Sequence, residues 1–154
     1  MQDNTGGEAI ALTQSLIQLL FPKPSPRDFT VQLAVHFEEF AELLETVELN
    51  NSQIQFELGA ARAALNRISN IMRKDDSVRA HFSNRVAALD ALGDNLVTSF
   101  QVAHQASFNL EGAFLNIGQS NQTKLVDGKP IYDDTGKWKK GPDYKPPELA
   151  SFIL

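Results

Sequence analysis

Five carboxylates fall into two groups on stretches that read as helix: Glu38, Glu39 and Glu42 in HFEEFAELLET, and Asp90 and Asp94 in ALDALGDNLV. Side chains of like charge repel, so two packed helices crowded with them need a cation between them. Hard divalent ions take oxygen ligands of this kind, magnesium foremost. A magnesium cluster held by helices points to phosphate chemistry.

Spacing supports the grouping. At about 100° per residue, Glu42 lies about 40° and Glu39 about 100° from Glu38, so the three share one arc. Leu33, Phe37, Phe40, Leu44 and Val47 gather on the other side, the pattern of an amphipathic helix. A solvated acidic face is the plain alternative, but Val31, Ala34 and Val35 lie on the acidic side and argue that it does not meet water alone. In the second group Asp94 sits about 40° from Asp90, with Leu89, Leu92, Leu96, Phe100 and Ala103 on the opposite arc. Gly93 between the acids weakens the helix by about 1 kcal/mol relative to Ala, and close approach of another helix is the expected compensation.

The rest of the chain must position these groups. It has 154 residues, the length of one domain, 1–154, with a net charge of −5 and no cysteine, which excludes disulfides and thiolate chemistry. No signal peptide or membrane span is read from the sequence, and a soluble cytoplasmic protein is expected. The acidic balance argues against a nucleic-acid binder. Residues 124–154 differ, with six lysines against five acids. A small polyanion could therefore meet metal on one side and lysines on the other, a solvated tail being the plain alternative.

Periodicity predicts helices over 8–20, 29–48, 53–73, 78–107 (with an early break) and 110–119, an all-α chain. PKPSP ends the first helix, and Ser52 is the expected N-cap of the third. From residue 120 Gly and Pro multiply, predicting loop with a small hairpin from 129–132 and 137–139. Trp138 and Tyr144 read as anchors for this tail. His36 and His104 read as packing or surface residues, His81 lies in unassigned sequence, and Glu45 extends the acidic face with solvent exposure expected.

The runs EEFAEL, DALGD, NLEGAF, SNQTKLVDGKPI and GKWKKGPDYKPPEL resemble the phage and bacterial branch of the all-α nucleoside triphosphate pyrophosphohydrolases, the superfamily of MazG, dimeric dUTPase and phosphoribosyl-ATP pyrophosphohydrolase. The resemblance covers 29–49 and Asp90 onward; 50–85 matches no pattern. In general appearance the chain also resembles MazZ-type (d)GTP diphosphohydrolases of phages that use 2-aminoadenine.

The resemblance implies a MazG-like antiparallel helical bundle with an irregular Gly/Pro-rich C-terminal tail. It implies magnesium or manganese held by Glu38, Glu39, Glu42, Asp90 and Asp94, and attack of an activated water on the α-phosphorus, giving nucleoside monophosphate and pyrophosphate. Glu38 or Glu39 would orient or deprotonate the water. Asn121 and Lys124, then Lys137 and Lys140, are the candidate substrate contacts. The expected substrate is a nucleoside triphosphate, (d)GTP foremost, with dUTP or a broad range as competitors, and relatives of this kind form dimers or tetramers. The second acidic motif departs from the usual Glu-x-x-Asp, since Ala91 stands three before Asp94 and Asp90 four before. Both spacings keep side chains adjacent on a helix. The interval from Glu42 to Asp94 is also longer than usual. A helical oligomerisation or regulatory module without turnover is the alternative from another class.

Overall fold

The computed structural model describes residues 4–134 and 136–154. It is all-helical: α1 (Thr5–Leu20), α2 (Pro26–Glu45), α3 (Ser52–Lys74), α4 (Arg85–Gln105), α5 (Leu110–Gln122) and a 3-10 turn at Ala150–Phe152. No strand occurs among the described residues, only isolated bridges. No helix among them is long and apolar enough to cross a membrane. Two compact units result, one combining α2, α3 and residues 132–137, the other combining α1, α4, α5 and the C-terminal segment.

In the first of these units α2 begins with a capping box. The Asp28 amide donates to Ser25 Oγ at 3.1 Å, and the Ser25 amide donates to Asp28 Oδ2 at 2.7 Å. Pro26 opens the helix with φ already set. α3 is capped by Asn51, whose Oδ1 accepts from the Gln53 and Ile54 amides. The cap is therefore Asn51 and not Ser52, which is the first helical residue. The two helices run antiparallel: Arg27, at the start of α2, reaches the last carbonyls of α3, while Gln55 near the start of α3 bonds the Leu49 amide.

The face that α2 buries differs from the expected one. Thr30, Val31, Ala34 and Ala41 are buried, whereas Phe40 is 48% exposed and Leu43 51% exposed. Small side chains let the α2 and α3 backbones approach closely, and this places the Glu38 side of the helix inward, at the expense of the larger apolar residues.

After α3 the chain does not resume helix at 78. The Asp75 carboxylate takes both the Ser77 amide at 2.9 Å and its hydroxyl at 2.6 Å. The Ala80 amide is drawn to the buried Thr30 hydroxyl at 2.9 Å. Helix restarts only where Asn84 Oδ1 accepts from Val86 and Ala87. These local competitors for backbone donors explain why α4 begins at Arg85.

In the other unit α1 and α5 run in the same direction. The Gly6 amide donates to Glu111, and Leu12 lies over Gly118, where a Cβ would meet its methyl at 2.9 Å. The tail folds back on α5. Ser120 Oγ donates to the Lys145 carbonyl at 2.7 Å, the Lys145 amide donates to Thr123 Oγ1 at 2.8 Å, and the Glu148 amide donates to Asn116 Oδ1 at 2.9 Å. Gly141 is buried here, and a Cβ on it would stand 2.9 Å from the Lys124 carbonyl oxygen. Asp127 and Gly128, both with positive φ, close a tight turn in which Val126 and Lys129 exchange bonds of 2.9 Å. Lys129 thus pairs backward with Val126 and not with 137–139. The Ile131 carbonyl accepts from the Lys139 amide.

The cap assignment is testable. Asn51→Ala should destabilise by about 1 kcal/mol, and Ser52→Ala by only a few tenths, as read from urea unfolding; the reverse order would reject the cap described.

Candidate functional site

Glu38 occupies the inward side of α2, and its two carboxylate oxygens are both engaged. Oε2 accepts from Arg73 Nη1 at 2.5 Å and Oε1 accepts from Lys137 Nζ at 3.0 Å. The side chains are 23%, 16% and 32% exposed respectively, so this ion triad is largely withdrawn from solvent. Burial pushes the Glu38 carboxyl up, but the bonds and charges of Lys137 and Arg73 together outweigh it and hold the group below its ordinary value.

Each cation has its own support. Arg27 donates to the Met72 carbonyl at 2.7 Å and to the Arg73 carbonyl at 2.5 Å, and pairs with Asp76 at 2.9 Å. A cation there satisfies carbonyls at the end of α3 and favours the negative pole of the helix. The backbone from which Arg73 projects is fixed by that contact. Lys137 sits at the end of a turn: Asp133 Oδ1 accepts from the Lys137 amide, and the Asp133 amide donates to the Lys137 carbonyl, both at 2.9 Å. Gly136, with φ of +82°, makes the reversal possible at a conformation other residues rarely adopt.

The other expected site residues are distributed as follows. Glu39 and Glu42 lie on exposed α2 surface, and Glu45 pairs with Arg62 at 3.1 Å. Asp90 and Asp94 lie on α4, which is exposed over almost its whole length. No atom lies within 4 Å of a Cβ built on Gly93, so the close helix approach expected there is not made within the chain. Among the described residues no group of three or more Asp, Glu or His side chains is arranged to hold a metal ion. The donors on α2 and α4 are carboxylate oxygens, the type that suits magnesium or manganese.

Lys124 and Lys140 belong to the tail. The Lys124 ammonium stands 5.0 Å from the Trp138 ring centroid and 5.8 Å from that of Tyr144, and Lys140 stands 4.6 Å from Tyr144. These are cation–π distances, and they give the two rings an anchoring role beside the backbone bonds of Gly141 and Lys145. Asn121 is half-buried near the end of α5, where its carbonyl accepts from the Lys124 amide at 3.1 Å.

Sequence reasoning found Glu38 and Lys137, which the fold brings together across 99 positions. It missed Arg73, in the stretch that carried no pattern. No sequence signal marks it, since its inward neighbours on α3, Ser69 and Met72, are seen to be buried only in the fold. No family model, no curated protein and no solved structure matches the chain.

Glu38→Gln leaves two partly buried cations without their carboxylate and should lower stability by about 1–3 kcal/mol near neutral pH. Because the folded state depresses this carboxyl, its stabilisation is complete above the ordinary value of 4.5 and is lost as pH falls below it. The gap in unfolding free energy between wild type and Glu38→Gln should therefore narrow on acidification from neutral pH to about pH 3. A gap that stays constant through that range would contradict the assignment.

Proposed function

We propose that the chain is a metal-dependent nucleoside triphosphate pyrophosphohydrolase of MazG-like bundle architecture, cleaving a (d)NTP, (d)GTP foremost, to the monophosphate and pyrophosphate. The observation that carries the reading is the unit formed by α2, α3 and the 132–137 turn. In it Glu38, the first residue of the Glu-Glu-x-x-Glu motif, meets two anchored cations, Arg73 and Lys137. Acids for divalent ions beside cations for phosphate oxygens are the two halves that phosphoryl transfer needs.

Glu38, Glu39, Glu42, Asp90 and Asp94 would hold magnesium or manganese. Bound there, the ions would activate water and offset charge on the phosphates. Glu38 or Glu39 would orient or deprotonate the attacking water. Lys137 neutralises phosphate charge. Lys124, Lys140 and Asn121 serve at the tail, where the cation–π contacts limit the freedom of both lysines.

Self-association belongs to the same reading. Val86, Leu89, Gly93, Leu96 and Phe100 follow one another at alternating steps of three and four on α4, the spacing of a helix–helix seam. Leu89 is 72% and Leu96 67% exposed. An apolar stripe this long exceeds what a monomer ordinarily leaves in water, and Gly93 leaves room in it for a second helix. The occupant is a second copy of the chain, docked on the side of α4 away from Asp90 and Asp94. The exposed stripe also favours the second reading, a helical oligomerisation or regulatory module without turnover.

Phosphate release measured with added inorganic pyrophosphatase, across all (d)NTPs with and without magnesium, separates the two. The enzyme reading expects a signal only with metal, and a loss of about 100-fold or more in Glu39→Gln and Asp94→Asn. Silence with every nucleotide favours the module. In sedimentation velocity the wild type should run as an oligomer and Leu96→Glu as a monomer. A monomeric wild type at micromolar concentration would remove the self-association.

A further inference from the structure

Glu38 makes an uneven match with its two partners. The three side chains carry two positive charges against one negative. Arg73 meets the carboxylate end-on through Nη1 alone, while its Nε is buried and has no hydrogen-bond partner. A guanidinium pairs best with an oxyanion through two parallel donors; the Nη1 contact uses one donor of the end-on pair, and Nε–H, which faces away from Nη1, is left unspent. Buried donors left in this state are uncommon and call for a physical reason.

The two cations are also held without Glu38. The carbonyl of Arg73 and that of its neighbour Met72 are bonded by Arg27, and Lys137 is fixed by its backbone exchange with Asp133. Both donors converge on the oxygens of one carboxylate, so one small multi-oxygen anion can bridge them. A tetrahedral phosphoryl group supplies more oxygens and more charge than a carboxylate. It can engage the parallel Nη1 and Nη2 donors of Arg73 together and still reach Lys137 Nζ.

We propose that Arg73 and Lys137 form a pre-built phosphoryl-anion site, and that Glu38 is its internal counter-ion, displaced when a polyphosphate enters. The inference goes beyond turnover and assigns Arg73 a ligand-binding role. It adds an order to the site described above: arrival of phosphate at the cations leaves the Glu38 oxygens open. In the empty protein the same carboxylate screens the site against weaker anions.

The test is calorimetric titration of inorganic pyrophosphate into the full chain, free of divalent metal and nucleotide. Glu38→Gln removes the competitor and should bind pyrophosphate about tenfold more tightly than wild type. The gain should vanish in the double variants Glu38→Gln/Arg73→Gln and Glu38→Gln/Lys137→Gln. A structural ion triad predicts otherwise: equal or weaker binding by Glu38→Gln, or a gain that survives loss of Arg73 or Lys137, overturns the proposal. Should Glu38→Gln fail to fold, the wild type decides. The Arg73 Nε–H resonance, assigned by its absence in Arg73→Lys, should shift on adding pyrophosphate, and an unmoved resonance overturns the proposal equally. Hydrolysis without the Glu38→Gln gain would sink this inference alone, and the gain without hydrolysis would sink the enzymatic reading alone.

Discussion

A carboxylate drawn out of water must be neutralised where it stands, and Glu38 meets that demand by joining three separate pieces of chain. α2 supplies the charge, the last turn of α3 supplies Arg73, and the 133–137 turn supplies Lys137. The helix pairing, the Arg27 contact with the end of α3 and the left-handed Gly136 all serve to bring these partners within bonding distance. In this unit the helix pair and the turn are therefore held through the same few atoms, and a change at Glu38 loosens all three pieces at once.

Much of this architecture is visible in local sequence. Five helices can be read from apolar periodicity, because each has a stripe that a folded chain buries or presents to a partner. Periodicity alone starts α2 at Phe29, three residues late, because PKPSP reads as a stop for α1 while its Ser25 and Pro26 open the capping box with Asp28. Errors arose where neighbouring donors competed for the same backbone groups. Asn51 outranks Ser52 as a cap because its side chain reaches two amides from one position further out. Residues 78–84 have helical composition, but Ala80 gives its amide to Thr30, a partner 50 positions away. No window of sequence contains that competition.

The facing of α2 failed for a different reason. Apolar periodicity weighs side chains by size and so selects Phe37 and Phe40 as the inner face. Packing weighs how close two backbones can come, and Thr30, Ala34 and Ala41 allow closer approach than any phenylalanine. Glu38 is carried inward with them. The acidic motif was legible as a cluster of types, whereas the pairing of one of its members with Arg73 and Lys137 depends on contacts over 35 and 99 positions.

The directions of α1 and α5 bear on how the molecule reaches its native state. α2 and α3 are joined by a short loop and meet through neighbouring chain, a contact whose closure entropy is small. α1 has its partner 105 positions later, at Glu111, so its docking waits until α2, α3 and α4 have all left the ribosome. Loop-closure cost and the order of synthesis both place that event late. Until then the apolar stripe of α1 is unsheltered, whereas α2 and α3 cover each other as soon as their short loop closes.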